Sequence, residues 1–158
     1  PGLRNLQHGQ ALDRLLFGLK AEQKLLESKH TKYVPILVKI APDLTDLEII
    51  DMSNSLIKAG IDGVIATNTT LDRSQVIGQP HAQEMGGLSG AVLTAKSQVF
   101  TEKLAKEIAG RMPIIGVGGI HSGQSAKERI ASGSTLIQLY TSLIYKGPKV
   151  IKEIIEDI

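Results

Sequence analysis

The residues best able to do chemistry in this 158-residue chain stand where apolar runs stop. Ile114-Ile115-Gly116-Val117 ends in Gly118-Gly119, and Leu136-Ile137-Gln138-Leu139 ends in Tyr140-Thr141. Paired glycines let a backbone pass close to a ligand, because no Cβ stands in the way. Ser122 suits the N-cap of a helix reaching about Ala131. A strand, a glycine turn and a helix N-terminus together offer backbone N–H groups to an anion. Gly-Gly after a strand is also an ordinary tight turn; the second unit, with its two hydroxyls, favours the phosphate reading. Lys39 interrupts the apolar run 34–41 near its C-terminal end. A buried lysine is costly unless paired or used. Either its stem lies along a sheet and its head reaches water, or it is a functional cation. Thr67-Asn68-Thr69-Thr70 closes another apolar run. It is either a turn satisfying its own backbone or a small-ligand site. In the second case Asn68 offers both a donor and an acceptor to an amide- or imide-containing ring. Gly86-Gly87-Leu88-Ser89-Gly90 would again allow close approach, or simply make a flexible loop.

These residues need a scaffold, and the chain supplies one in alternating pieces. Apolar positions Leu12, Leu15, Leu16, Leu19, Leu25 and Leu26 predict a helix over about 10–28, after a loop-like start over 1–9. Residues 34–41 read as a strand starting at Pro35 and stopping before Pro42, nearly continuous in apolar residues as parallel strands are. Asp43-Leu44-Thr45-Asp46 caps a helix to about Lys58, with Gly60 as its C-terminal stop. A strand follows Asp62-Gly63, then a long connection over 71–90, of a length usually functional or mobile. A helix over about 92–109 closes at Gly110. Strand, helix and strand follow, and Gly147-Pro148 opens a last helix with the stripe Val150, Ile151, Ile154 and Ile155. Strands alternating with helices mean a parallel α/β architecture. Two successive phosphate-type strand ends late in a chain suit the site after strands 7 and 8 of a (β/α)8 barrel, and Lys39 would then stand at a barrel's active face.

Composition narrows the function classes. One domain is the expectation at this length. Hydrophobic residues at 42% suffice for a core, and charged residues at 22% suit a globular protein. A net charge of only +2, with Lys and Arg spread along the chain, is no nucleic-acid footprint. Aromatics at 3% argue against base-stacking platforms. The absence of cysteine removes disulfides, thiolate nucleophiles and Cys-based zinc sites. His8, His30, His81 and His121 lack metal-ligand spacing, and no Ser-His-Asp set is evident. No apolar run approaches the ~18 residues of a membrane span. The start, Pro1-Gly2-Leu3-Arg4, is turn chemistry without an initiator Met, so the chain is expected to be part of something longer.

Taken together, Leu37-Val38-Lys39-Ile40-Ala41-Pro42-Asp43-Leu44, Thr67-Asn68-Thr69-Thr70, Gly86-Gly87-Leu88-Ser89-Gly90, Pro113-Ile114-Ile115-Gly116-Val117-Gly118-Gly119-Ile120 and Gln138-Leu139-Tyr140-Thr141 resemble the dihydroorotate dehydrogenases. Pro1-Gly2-Leu3-Arg4-Asn5-Leu6-Gln7 is similar to the class 2, quinone-dependent branch. The resemblance covers essentially the whole chain. It implies an FMN-containing (β/α)8 barrel, of which this chain is about the last four βα units, a C-terminal half of one domain. It implies oxidation of dihydroorotate to orotate in pyrimidine synthesis, with electrons passed to a membrane quinone. Lys39 resembles the lysine beside the flavin ring, where a cation stabilises charge that builds up on reduction. Thr67 resembles a second flavin contact; Asn68 and Thr69 resemble the residues that grip the pyrimidine ring. Gly90, Gly119, Tyr140 and Thr141, with Ser89 and Gly118 as neighbours, resemble the surroundings of the FMN phosphate and ribityl chain. The catalytic base of class 2 enzymes is a serine in a Ser-Ser-Pro-Asn-Thr segment directly before Pro-Gly-Leu-Arg, so no catalytic residue is expected within this chain. The earlier strands and the membrane-binding helices would also lie upstream. The implied location is peripheral on a bacterial inner membrane or the mitochondrial inner membrane. A half barrel would leave two open strand edges. The alternative readings are a catalytically silent FMN- or phosphate-binding fragment and, more weakly, a non-flavin phosphate-binding barrel such as an isomerase.

Overall fold

The structure is a computed structural model that describes residues 9–158; the loop-like start and the Pro-Gly-Leu-Arg segment lie outside the described residues, Gly9 excepted. Strands β1 (Leu37–Ile40), β2 (Gly63–Ala66), β3 (Ile114–Val117) and β4 (Leu136–Gln138) form one parallel sheet in chain order. Its register pairs Val38 with Val64, Val64 with Ile114 and Ile115 with Leu136. Among the described residues six helices accompany it: α1 (Gly9–His30), α2 (Asp46–Ala59), α3 (Thr94–Ile108), α4 (Gly123–Ala131), α5 (Thr141–Lys146) and α6 (Lys149–Asp157). This is the expected α/β alternation.

Local signals set most boundaries. Thr45 caps α2 reciprocally with Glu48, its N–H donating to Glu48 Oε2 at 2.8 Å, and Gly60 ends the helix in the left-handed region at φ 69°. Ser122 caps α4 with Ser125 as its reciprocal partner. The main core joins Leu12 and Leu16 of α1, Ile49, Met52 and Leu56 of α2 and Phe100, Leu104 and Ile108 of α3 to Ile40, Val64, Ala66 and Ile114 of the sheet. Each of the larger side chains, Ala66 apart, stabilises by about 1.5–3 kcal/mol on burial. A smaller cluster joins Ile120, Ala126, Val150 and Ile154 under α4 and α6.

Several expectations need correction. The strand expected over 34–41 pairs only from Leu37, because β2 begins at Gly63 and offers no earlier partner. Among the described residues β4 has a neighbour on one side only, and Leu136 is 58% exposed. In α1 only Leu12 and Leu16 of the six leucines are buried, since α2 covers a narrower stripe than the sequence offers. In α6 the four-residue spacing sends Val150 and Ile154 inward and leaves Ile151 and Ile155 exposed. Helix α5 was not expected; six residues are too few to show a period. The connection over 71–90 is long as expected, and carries one 3-10 turn at Ser74–Val76.

Asp62 ties α1 to the N-terminal edge of the sheet. Its carboxylate accepts from the Ile36 N–H at 2.7 Å, from Gln23 Nε2 at 3.1 Å and from the Tyr33 hydroxyl, and Lys20 stands 3.5 Å away. Burial by itself would raise this carboxyl; the hydrogen bonds of Tyr33, Ile36 and Gln23, with the charge of Lys20, outweigh it and hold the pKa at about 2 instead of 3.8. The lowered value stabilises the fold fully above pH 3.8, and that contribution disappears as pH falls through about 2. Solvent screening limits it to on the order of 1 kcal/mol. Urea unfolding is therefore expected to show Asp62→Asn less stable at pH 7, with the gap to the unsubstituted protein closing between pH 4 and 2. A gap independent of pH would rule this linkage out.

Candidate functional site

The C-terminal ends of the four strands open into one cleft of about 710 Å³. All ten residues singled out from the sequence border it. Lys39 reaches it from β1. Thr67, Asn68 and Thr69 come from the turn after β2, and Ser89 and Gly90 from the end of the long connection. Gly118 and Gly119 come from the turn after β3, and Tyr140 and Thr141 from the junction of β4 with α5.

Each side chain has a definite setting. Lys39 is exposed, and its ammonium donates to Gln138 Oε1 at 3.5 Å. Thr67 is buried on the cleft floor; its hydroxyl shares a hydrogen bond of 2.7 Å with Ser97, and its N–H donates to Val117 O at 2.8 Å. The peptide before it, Ala66–Thr67, is cis. The Asn68 N–H donates to Ile40 O at 2.6 Å, pinning the turn to β1. Asn68 Oδ1 accepts from the Thr69 N–H at 2.9 Å, which leaves the side-chain NH2 and the second lone pair of Oδ1 as the hydrogen-bonding capacity of Asn68 on the cleft side. The Thr141 hydroxyl donates to Ser89 Oγ at 3.2 Å and joins the long connection to α5.

Two glycines are required by contact. A Cβ on Gly119, whose φ is 74°, would stand 2.3 Å from the Thr94 N, and one on Gly87 would stand 1.7 Å from Thr69 Oγ1. The glycine turn therefore lies flat on the start of α3, and the glycine loop lies flat on Thr69. Thr94 Oγ1 donates to Gly119 O at 2.8 Å and completes the first contact.

Sequence reasoning missed three groups here. Gln138, His121 and Lys146 also border the cleft, and Lys146 Nζ donates to His121 O at 2.8 Å. Gln138 lies inside an apolar strand run, where a single amide gives no distinctive pattern, and Lys146 belongs to the short α5. The missed groups share the polarity of the rest: among the described residues the cleft is lined by Lys39, Lys146 and His121 and by no carboxylate. Among the described residues no group of acids, histidines or cysteines could hold a metal ion.

The carboxylates are engaged elsewhere. Lys96 of α3 lies 2.8 Å from Asp43 Oδ1 and 3.3 Å from Asp72 Oδ2, and donates to Thr70 Oγ1 at 3.0 Å. Burial by itself would lower the Lys96 ammonium; the hydrogen bond and charge of Asp43, then those of Asp72, outweigh it and hold it above the ordinary value. Asp43 also accepts from the Thr70 hydroxyl and from the Leu71 N–H at 3.0 Å. Further along, Arg73 donates to Gly86 O at 2.6 Å and bridges the long connection from inside. Thr70 and Leu88 exchange backbone hydrogen bonds of 3.1 and 2.8 Å. The connection is thus a closed loop, held at its base, that delivers Ser89 and Gly90.

A family model described as dihydroorotate dehydrogenase matches residues 1–158. A dihydroorotate dehydrogenase (quinone) of Pseudoalteromonas atlantica is 62% identical over 158 residues, all of this chain and 47% of that protein. One of Photobacterium profundum is 57% identical over 155 residues, 98% of this chain and 46% of that protein. A solved structure of the Eimeria tenella protein in complex with ferulenol superposes with a TM-score of 0.92 at 35% identity, over 99% of this chain and 45% of that one. The chain spans about half the length of the relatives it matches.

Lys96→Met removes the cation that joins Asp43 to Asp72. Amide exchange at Thr70 and Leu88 is expected to quicken about tenfold or more, with faster proteolysis between 71 and 90. Unchanged exchange at both amides would mean that the loop holds without its base.

Proposed function

The chain belongs to the dihydroorotate dehydrogenase family, and on that premise we propose that it forms the C-terminal half of the FMN and substrate site of a quinone-dependent dihydroorotate dehydrogenase. The sheet and helices are four βα units of a (β/α)8 barrel, as in the structural relatives; we take them as the last four. The observation that carries the reading is the cleft itself: cationic, lined by no carboxylate among the described residues, and floored by a glycine turn where a Cβ would collide with backbone. A flavin mononucleotide, with a flat ring at one end and a phosphate at the other, suits such a cleft.

FMN, when bound, supplies the hydride acceptor. The residues of this chain hold and orient. Gly90, Gly118 and Gly119 allow close backbone approach at the phosphate and ribityl chain, and Ser89, Tyr140 and Thr141 add hydroxyls there. Lys39 and Thr67 would hold the ring end, where the ammonium would offset negative charge on a reduced flavin. Asn68 and Thr69 hold dihydroorotate, whose imide offers the donor and acceptor that an Asn matches. The proton lost from dihydroorotate goes to a serine in a segment outside this chain, and the electrons go on to a quinone. Membrane association, peripheral on the inner membrane as befits bacterial relatives, would come through that other part. Among the described residues no helix is long and apolar enough to cross a membrane.

The test is made on the complete protein: flavin absorbance of the purified material and quinone reduction driven by dihydroorotate. A colourless protein that still binds phosphate would favour the non-flavin barrel. Flavin without turnover would favour the silent binding unit.

Two substitutions separate the roles. Lys39→Ala is expected to slow flavin reduction about a hundredfold while the urea midpoint barely moves, as removal of a preorganised charge does. Equal loss of stability and flavin signal would make Lys39 structural. Asn68→Ala is expected to weaken orotate binding about tenfold, the worth of one good hydrogen bond, with FMN retained. Unchanged orotate affinity would remove Asn68 from the substrate site.

A further inference from the structure

Arg129 of α4 is the largest of the fully buried side chains, 1% exposed, and lies directly beneath the glycine turn. Its Nη1 donates to Val117 O at 2.9 Å, and its Nη2 to Gly118 O at 3.0 Å and Thr94 O at 3.2 Å. It pairs with no carboxylate among the described residues, and its Nε has no partner. The strand opposite makes room for it: a Cβ on Gly116 would stand 2.5 Å from Arg129 Cγ. A buried guanidinium without a counter-charge is costly, and an apolar side chain would fill the same space with less penalty. Burial pushes its pKa down to about 10, which leaves it protonated at neutral pH.

We propose that Arg129 is a positioning residue for the anion end of the cleft, orienting the turn at Gly118-Gly119 and lending its buried positive charge to a bound phosphate monoester. A planar trans peptide sets its N–H opposite its carbonyl. With the carbonyls of Val117 and Gly118 drawn onto the guanidinium, the N–H groups of Gly118 and Gly119 are turned away from it. Both glycines border the cleft. The charge acts in the same direction as those N–H groups, through a medium that screens far less than water. The missing counter-charge is then the ligand's own phosphate. Arg129 touches backbone carbonyls and acts on the ligand only through the turn and its field.

The proposal rests on the FMN reading, and the test separates the two. In the complete protein freed of flavin, FMN and riboflavin affinities are compared by flavin fluorescence, with thermal unfolding alongside. The two flavins differ only by the phosphate. In Arg129→Met the Kd for FMN is expected to rise about tenfold or more and that for riboflavin by less than about threefold, as loss of one partly screened charge predicts. Arg129→Lys should recover most of the FMN affinity. If Arg129→Met does not fold, Arg129→Gln carries the same comparison, keeping a donor and losing the charge. Equal weakening of both flavins, or no change in either, would overturn the proposal and leave Arg129 a packing residue. An unsubstituted complete protein that binds riboflavin but not FMN would overturn it too. One that binds neither flavin would overturn the FMN reading beneath it.

Discussion

Everything at the site depends on four strands sharing one parallel register. Backbone hydrogen bonds between β1, β2, β3 and β4 bring their C-terminal ends to one edge. Residues as distant in sequence as Lys39 and Thr141 meet there for no other reason. Parallel strands require a crossover after each, so helices and the long connection fall between them and cover the sheet. The turns at the C-terminal ends are the parts free to vary, and they carry the polar groups. At the opposite edge the chain does only structural work, with Asp62 tying α1 to the start of β2.

Charge is sorted with the same geometry. Of the acids closest in sequence to the site residues, Asp43 and Asp72 are held by Lys96 outside the cleft, where they fasten the loop that brings in Ser89 and Gly90. The cleft itself keeps lysines, a histidine, hydroxyls and amides. A carboxylate inside would repel an anionic ligand at a cost that low dielectric magnifies. Arg129 continues the pattern below the surface, a cation placed under the glycine turn with carbonyl partners and, among the described residues, no acid to cancel it.

The two sheet edges explain why this segment reads as half of something. Among the described residues, strand β4 has no outer neighbour and exposes Leu136, and β1 has none on its other side. A closed barrel of eight strands would cover both. Relatives about twice as long, with which the chain superposes closely, agree with that. The wide leucine stripe of α1, only partly used by α2, fits the same view.

Much of this was legible in the residues. The βα alternation, the caps at Thr45, Gly60 and Ser122, and the strand ends holding Lys39, Asn68 and Gly118-Gly119 all rest on interactions within a few positions, and such interactions write themselves into local sequence. Which leucines of α1 are buried, that β4 is an edge, and that α5 exists were not legible, because each depends on what lies beside the element in space. Neither was Arg129: its type and its place on α4 suggest a solvated helix face, and only the approach of β3, permitted by Gly116, turns it into a buried support of the site. The sequence by itself determined which groups could do chemistry and which elements carry them. The tertiary structure decided which of them share a cleft, since that is set by strand register and packing between segments a hundred residues apart, which no local pattern encodes.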